Sequence, residues 1–316
     1  MTDLAKVSMI SIDINHAGQR LDNFLISLCK GVPKSKLYQV IRTGQVRINS
    51  KRSKPSHRLQ MNDLVRVPPL RCQETKKQSS QLSLERLRLL NDSVLFEDDD
   101  YLIINKPRNF AVHSGSGIAQ GLIDQLKIWR DDLAYLQLGH RLDRETTGCL
   151  VLAKNRASLL AFQRRLQNSA VSKQYLALVH GAWPESNRKI TAALARASHN
   201  ENDVRVRVDN SGKPAVTTIL DIHYGSQVSL LKVALITGRT HQVRVHCQSQ
   251  GHPLLGDSKY GQRKLDQNLN VAPHVPLMLH AQEIAFTVNE RVYQVCAQLD
   301  TTWQDYASRL KVKLFI

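Results

Sequence analysis

The sequence predicts an α+β protein in which a small α+β domain precedes a larger domain with a mixed, mostly antiparallel sheet flanked by helices. Three observations lead to this expectation. The chain has 316 residues, which is enough for two domains. A polar stretch without apolar periodicity follows Pro68-Pro69 and divides the chain. Beyond it, candidate strands outnumber candidate helices and do not alternate strictly with them, which disfavours a doubly wound fold.

Composition restricts the class of protein. Hydrophobic residues make up 42% of the chain, enough for a sizeable core, so global disorder is not expected. The five cysteines lie far apart without a CxxC pair, which argues against a disulfide framework or a cysteine-based zinc site and fits a reducing compartment. No apolar run approaches the ~18 residues of a membrane span. With no recognisable signal peptide either, we expect a cytoplasmic protein without a membrane partner.

The chain is strongly basic, and the excess is uneven. Lys and Arg number 44 against 27 Asp and Glu, a net charge of +17, which is typical of a protein with a polyanionic partner. Residues 1–90 hold 17 of the basic residues and only 6 of the acidic ones. Between residues 30 and 66, ten basic residues accompany a single acid, Asp63. A solvated basic face is the plain alternative, but so one-sided a charge favours a nucleic-acid surface.

The first domain is expected to contain two short helices and a small hairpin. Apolar residues recur at helical spacing at Leu21, Phe24, Leu25 and Leu28. After a break at Gly31-Val32-Pro33, Ser35 is a candidate N-cap for a second helix that ends at Gly44. Residues 46–49 and 64–67 alternate like short strands.

Residues 14–70 resemble the S-four RNA-binding domain. The resemblance rests on RLDNFL at 20–25, SK at 35–36, IRTGQVRIN at 41–49 and LQMND at 59–63. Helix termini and basic side chains hold phosphates with little sequence preference. The residues expected to bind RNA here are Lys34, Lys36, Arg42, Arg47, Lys51 and Arg52.

Residues 71–90 are expected to form a linker, and residues 91–316 the second domain. Its candidate strands are 94–96, 101–105, 149–153, 175–179, 216–222, 228–236 and 292–297. Its candidate helices are 118–129, 156–167, 241–250 and 302–311.

A polar segment, GHRLDRETTG at 139–148, stands directly before a buried-looking strand. Its aspartate, Asp143, lies between Arg141 and Arg144, and two neighbouring guanidinium groups would keep the carboxylate ionised. An exposed loop with a structural Asp–Arg pair is the alternative interpretation.

A second polar segment, TGRTHQVRVH at 237–246, follows an apolar strand and opens a helix. Arg239, His241 and Arg244 provide cations near a helix N-terminus, which suits a phosphate or a partner carboxylate. A surface salt-bridge helix is the alternative. His241 and His246 are five residues apart and out of phase on a helix, so no metal site is expected. The chain also lacks a P-loop and a GxGxxG sequence, so no nucleotide cofactor is expected.

The segment HRLDRETTG is similar to the HRLDxxTSG motif of the RluA-type pseudouridine synthases. Four further segments resemble motifs of this family in the family's order: NKP at 105–107, KQYLALVHG at 173–181, GRTHQVRVH at 238–246 and GHPLLGD at 251–257. One departure is Thr147, where the family usually has serine; the hydroxyl is kept. An S-four domain stands where the family often carries one.

The resemblance implies isomerisation of uridine in RNA to pseudouridine, a reaction that needs no redox, energy or other small-molecule cofactor and no metal. It implies that Asp143 is the catalytic carboxylate, acting as a nucleophile at ribose or uracil or as the base that starts elimination to a glycal. Arg244 would pair with this aspartate, and Tyr175 would stack on the flipped uracil and help proton transfer. Arg141 would fill the gap left by the flipped base. The RNA-binding residues expected in this domain are Arg141, His140 and Arg239.

The implied partner is 23S ribosomal RNA or a large-subunit assembly intermediate. The sequence carries no signal for an oligomer, so a monomer is the default expectation. Two other functions agree with part of the sequence. A catalytically silent RNA-binding or ribosome-assembly factor on the same fold is disfavoured because Asp143, Tyr175 and Arg244 are all present. A metal-dependent nuclease that uses His140 and Asp143 is disfavoured because clustered acidic ligands are missing.

Overall fold

The computed structural model describes residues 6–29, 31–70, 84–112, 121–133, 135–197, 204–269 and 274–315. The chain forms two compact units, residues 1–83 and residues 84–316. None of the helices in these described ranges combines the length and the hydropathy that a bilayer-spanning segment requires.

The first unit joins two helices to a small antiparallel sheet. Its elements are β1 (Ser8–Ser11), α1 (Leu21–Leu28), α2 (Lys34–Arg42), β2 (Arg47–Ile48), β3 (Lys51–Arg52) and β4 (Leu64–Val67). The strand order is β1-β4-β2-β3. One core connects the layers, since Leu25 of α1, Leu37 of α2 and Val65 of β4 are almost completely buried in the same cluster. Burial of these apolar faces holds together helices too short to be stable alone.

Two local features of the first unit differ from expectation. Helix α2 begins at Lys34 directly after Pro33, so Ser35 is a helical residue and not the N-cap. The fixed φ of proline starts this helix without a side-chain cap. Strand β1 pairs with β4 over its whole length, so the fold of the unit includes residues before position 14. A four-residue strand with an alternating exposed face is too short a pattern to identify from sequence.

The expected linker at 71–90 is only partly described. Residues 71–83 lie outside the described residues. Residues 84–90 belong to a helix, α3 (Leu84–Asp92), and Leu90 is fully buried in the core of the second unit. Tertiary burial therefore stabilises a helix in a stretch that sequence analysis assigned to the linker.

The second unit carries the larger sheet. After α3 its elements are β5 (Val94–Glu97), β6 (Tyr101–Lys106), α4 (Leu122–Trp129), β7 (Gln137–Leu138), β8 (Thr147–Ala153), α5 (Arg156–Gln167), β9 (Val171–His180), β10 (Lys189–Thr191), β11 (Leu194–Arg196), β12 (Val206–Val208), β13 (Val216–Tyr224), β14 (Val228–Leu235), α6 (Gln242–Ser249), α7 (Arg263–Asn268), β15 (Leu279–Val288), β16 (Arg291–Cys296) and α8 (Thr301–Arg309).

The larger sheet is mixed and mostly antiparallel, as predicted. In the described residues its order is β10-β13-β14-β9-β15-β8-β6-β5. The parallel pair is β8 with β15, which meet at Thr147–Gly148 and His280–Ala281. Beyond this contact the two strands separate, β15 pairing with β16 and β8 with β7. The sheet is therefore forked, and α5 packs on β8 and β15 near the fork.

Most long elements lie where the sequence predicts them, and α5 has the predicted bounds. The expected helix at 118–129 is described only from α4 onwards, since residues 118–120 lie outside the described residues. Strand β15 was not predicted, although it lies in the middle of the sheet. A register shift between Ala281 and Glu283 breaks the alternation of buried and exposed residues in this strand. Without that alternation, its mixture of polar and apolar residues does not indicate a strand. The short strands β10, β11 and β12 were not predicted either.

Gly148 permits the close approach of β8 and β15. Its φ of +108° is unfavourable for residues with a side chain. A Cβ atom at this position would lie 2.2 Å from the carbonyl oxygen of Ala281. The fork therefore requires glycine at position 148.

Replacing Gly148 with alanine should lower the free energy of unfolding by about 3 kcal/mol or more, because the methyl group collides with β15 in addition to straining the backbone. Gly251→Ala is the matched control. Gly251 also has positive φ, +82°, but open space surrounds its Cβ position, so about 1 kcal/mol is expected. Denaturant unfolding measures both losses, and equal losses would contradict the steric role assigned to Gly148.

Candidate active site

Two loops of the second unit meet at one cleft. One loop leads from β7 into β8 and carries Asp143; the other leads from β14 into α6 and carries Arg239 and His241. Tyr175 of β9 and Arg141 line the same cleft. The structure thus brings together five of the residues that the sequence singled out, although they are distant along the chain.

Lys106 of β6 anchors the Asp143 loop. Its side chain is fully buried, and Nζ donates hydrogen bonds to the carbonyl oxygens of Pro107 (2.9 Å), Phe110 (3.2 Å) and Arg144 (3.0 Å). Burial lowers the pKa of Lys106 to about 7, while the charge of Asp143 acts in the opposite direction. All three donors of the ammonium group are used. Lys106 lies in the NKP segment at 105–107, but the sequence alone did not predict a role for it.

His140 fixes the start of the same loop. Its Nε2 accepts a hydrogen bond from the backbone N–H of Val151 in β8 at 3.2 Å. Burial, assisted by the positive charge of Lys173, lowers the pKa of His140 to about 4. His140 is therefore neutral at pH 7 and contributes no charge to phosphate binding; its contact with RNA remains a prediction.

Gln242 holds the second loop against β13. Its Oε1 accepts hydrogen bonds from the hydroxyl of Thr237 (2.7 Å) and the backbone N–H of Arg239 (3.0 Å). Its Nε2 donates to the carbonyl oxygen of Val216 (2.9 Å) and the hydroxyl of Thr217 (3.0 Å). A fully bonded buried amide specifies one geometry for the loop.

Arg244 of α6 connects two carboxylates inside the protein. It is 2% exposed, and its Nε and Nη2 donate to the two carboxylate oxygens of Asp257 at 2.8 and 2.7 Å. Its Nη1 donates to Oδ2 of Asp143 at 3.2 Å. Burial acts to lower the pKa of Arg244, but the hydrogen bonds and charges of both aspartates outweigh it and raise the pKa. Arg244 therefore stays charged and orients Asp143.

Asp257 is a site residue to which sequence analysis assigned no role. Its side chain is inaccessible to solvent. Besides binding Arg244, Oδ1 accepts the backbone N–H groups of Lys259 (2.9 Å) and Tyr260 (3.0 Å). Burial acts to raise the pKa of Asp257, whereas these hydrogen bonds, above all that of Arg244, lower it overall. The signal in the sequence was the aspartate that ends the GHPLLGD segment, but the sequence does not show which residue this aspartate binds.

His241 lies beside Asp143 in the same cleft. Its Nε2 lies 3.7 Å from Oδ2 of Asp143, and its Nδ1 lies 2.7 Å from the hydroxyl of Tyr260. The Tyr260 hydroxyl accepts a hydrogen bond from the backbone N–H of Val206 at 2.9 Å, so its own proton can be donated to Nδ1 of His241. The neutral imidazole then carries its proton on Nε2. Burial lowers the pKa of His241 despite the charge of Asp143. The sequence suggested a cation here, but the structure favours a neutral ring with its N–H towards Asp143.

Tyr175 presents a protonated phenol to the cleft. The residue is 8% exposed, and in the described part of the chain its hydroxyl has no hydrogen-bond partner. Burial, followed by the charge of Asp143, raises the pKa of Tyr175. The group can therefore donate a hydrogen bond to a bound molecule at neutral pH.

Comparison with known proteins agrees with this geometry. Residues 100–249 match the family model described as RNA pseudouridylate synthase, and residues 19–65 match the S4 domain model. Over 280 residues the chain is 41% identical to "Ribosomal large subunit pseudouridine synthase C" of Pasteurella multocida, with 89% of this chain and 86% of that protein covered. The chain belongs to the RNA pseudouridylate synthase family. Both family resemblances noted in the sequence are thereby confirmed.

Other relatives of this pseudouridylate synthase agree. It is 40% identical over 288 residues to the protein of the same name from Escherichia coli K12, with 90% of each chain covered. Among solved structures, "Human RNA Pseudouridylate Synthase Domain Containing 4" covers 72% of this chain and 96% of its own with a TM-score of 0.62. At 24% identity, that similarity concerns the fold alone.

The remaining predicted RNA-binding residues of the synthase are exposed. In the second unit these are Arg141 and Arg239, and Nε of Arg239 donates to the carbonyl oxygen of Pro214. In the first unit they are Lys34, Lys36, Arg42, Arg47, Lys51 and Arg52. The acids described in that unit have partners elsewhere: Asp13 binds His16, Asp22 binds Arg20 and Asp63 binds Asn49. Within the described ranges, the six cations therefore have no acidic partner.

Asp257→Asn should destabilise the synthase by about 3–5 kcal/mol at pH 7, because it leaves the buried Arg244 without its bidentate carboxylate. Folding lowers the pKa of Asp257, so the ionised carboxylate stabilises the folded protein. This stabilisation is complete above the pKa of the unfolded chain, about 4, and is lost as the pH falls through the lower pKa of the folded protein. The deficit of the variant should therefore shrink in acid. Denaturant unfolding at several pH values measures it.

Asp305→Asn on the exposed side of α8 is the control and should change stability by less than about 0.5 kcal/mol at any pH. A deficit of Asp257→Asn that stayed constant down to acidic pH would refute the assigned ion pair.

Proposed function

We propose that this synthase isomerises specific uridines to pseudouridine in the RNA of the large ribosomal subunit, as 23S rRNA or as part of an assembly intermediate. The observation that carries the proposal is Asp143, a carboxylate held by buried Arg244 at a cleft beside Tyr175. The substrate follows from the relatives, whose names refer to the large ribosomal subunit. The reaction breaks the ribose bond to uracil N1 and forms one to C5; a proton leaves C5 and another joins N1, so no atom is gained or lost.

Asp143 performs the chemistry at the sugar or the base. Arg244 binds Oδ2, and in the described residues Oδ1 accepts no hydrogen bond, so Oδ1 is available to the substrate. An ionised carboxylate held at a fixed position suits both nucleophilic attack and proton abstraction. His241 faces Oδ2 as well, so both protein contacts leave the other oxygen accessible.

Tyr175 receives the uracil. Its ring lines the cleft with Asp143, and its protonated hydroxyl can donate to a carbonyl oxygen of the base. A base inside an RNA helix cannot reach this cleft, so the uridine must be unstacked or flipped. Exposed Arg141 at the rim is suited to replace it in the RNA.

The first unit supplies affinity for the RNA backbone. Its six exposed cations bind phosphates without reading bases. The proposal also includes a cytoplasmic monomer. One chain contributes Asp143, Tyr175, Arg244 and Asp257, and the described cysteines form no disulfide, as in a reducing compartment.

Asp143→Asn should abolish pseudouridine formation while RNA binding stays within a factor of about three, because the amide keeps the shape but lacks the reactive charge. The test maps pseudouridines in large-subunit rRNA from a strain that lacks the gene. Sites that disappear should return with the wild-type gene and with Asp305→Asn, but not with Asp143→Asn.

Unchanged pseudouridines in the deletion strain would instead favour the catalytically silent RNA-binding factor. Restoration of the sites by Asp143→Asn would contradict the role of Asp143 while leaving the substrate assignment intact.

Replacing Lys34, Lys36 and Arg42 of α2 with glutamine should weaken RNA binding and its salt dependence together. Loss of three phosphate contacts reduces the slope of log K against log salt by about two. Binding titrations between low and moderate salt measure this slope. The same three substitutions at exposed Lys189, Lys264 and Lys311 of the second unit are the charge-matched control; an equal loss of slope in both variants would contradict the specific role of α2.

A further inference from the structure

We propose that Lys173 forms a phosphate-binding subsite beside Tyr175, which takes one backbone phosphate adjacent to the flipped uridine. This inference rests on the proposed function and names a contact of its substrate. Lys173 begins the KQYLALVHG segment, but the sequence alone did not predict a role for it.

Lys173 is placed at the cleft by strand β9. It precedes Tyr175 by two residues, so both side chains lie on the same face, about 7 Å apart along the strand. A groove next to the Asp143 cleft is lined by Lys173, Tyr175, Arg141 and Arg239. An anion bound there by Lys173 is within reach of the target nucleotide or its neighbour.

The ammonium group is also close to the backbone of the second loop. A Cβ atom built on Gly238 would lie 3.4 Å from Nζ of Lys173. Gly238 precedes Arg239, whose guanidinium lines the same groove. The two cations therefore border one space, Lys173 from β9 and Arg239 from the loop that follows β14.

Lys173 lacks the compensation that other buried cations of this protein possess. Lys106 donates to three carbonyl oxygens, and Arg244 contacts two carboxylates. Lys173 is half-buried, but in the described residues it has neither a hydrogen bond nor an acidic partner. Burial lowers its pKa, and no neighbouring carboxylate opposes that effect.

An uncompensated, partly buried ammonium group costs stability, so it fits a function better than a structural role. The nearby titratable groups point the same way, because His140 is neutral and Arg141 and Arg239 add positive charge. The missing counter-charge must come from the ligand. For an RNA enzyme that counter-charge is a phosphate.

The experiment combines a lysine variant with neutral phosphates. The probe is an rRNA fragment that contains a uridine modified by the wild-type enzyme, prepared with a single methylphosphonate linkage either 5′ or 3′ of that uridine. Dissociation constants are measured for the wild type, Lys173→Met and, as the control, Lys189→Met at an exposed position of β10.

Neutralising one of the two linkages should weaken wild-type binding about tenfold, as expected for one charge-assisted hydrogen bond. The Lys173→Met variant should bind the unmodified RNA more weakly by a similar factor. Neutralising the linkage that matters to the wild type should not weaken this variant further. Its response to the other linkage should equal that of the wild type. Its slope of log K against log salt should fall by about 0.7. Lys189→Met should behave as the wild type towards both linkages.

Lys173→Met should keep or raise the melting temperature, because methionine removes an uncompensated buried charge; a structural lysine would produce the opposite change. Lys173→Arg keeps the charge and should retain sensitivity to the linkage, which separates loss of phosphate binding from local damage. Wild-type sensitivity to both linkages in Lys173→Met would overturn the subsite alone. Failure of the wild type to form pseudouridine in rRNA would overturn the proposed function and the subsite together.

Discussion

A guanidinium group inside a protein requires negative charge close by, and Arg244 obtains it from Asp257 and Asp143. The bidentate pair with Asp257 satisfies most of that requirement, since both its hydrogen bonds are shorter than the single one to Asp143. Asp143 therefore adds a single hydrogen bond to Arg244, and its other carboxylate oxygen is not used in this interaction. Removing one partner of such a buried network costs far more free energy than the intact network contributes to stability. All three side chains are therefore required together. Arg244 therefore links helix α6, the turn at Asp257 and the Asp143 loop.

The forked sheet explains why the Asp143 loop stands at a cleft. Strands β8 and β15 meet only at Gly148 and its neighbours and then separate. Thr147 lies at this junction, and its hydroxyl is 2.7 Å from Nδ1 of His280. That contact gives the hydroxyl at position 147 a structural function, so threonine in place of the family's usual serine preserves it. Lys106 further restrains the Asp143 loop by donating a hydrogen bond to the carbonyl oxygen of Arg144.

The positive charge of the chain occurs in two different kinds of surroundings. In the first unit it is carried by exposed side chains on α2, β2 and β3, the surface proposed to bind phosphates without reading bases. In the second unit individual cations have individual surroundings: Arg244 is fully compensated by carboxylates, Lys106 by carbonyl oxygens, and Lys173 by neither. The partners that compensate each positive charge, and not the total charge, distinguish structural cations from the cation proposed to bind the substrate.

The sequence by itself determined the fold class, the family and the segments that carry Asp143, Tyr175 and Arg244, because periodicity, composition and short motifs are local properties of the chain. It did not reveal β15, whose register shift hides the strand pattern, or α3, which depends on burial of Leu90. Nor did it reveal that Asp257 binds Arg244, that His241 is neutral, or that Lys173 has no counter-charge among the described residues. Those properties depend on distances and desolvation between residues remote in sequence, and only the tertiary structure decides them.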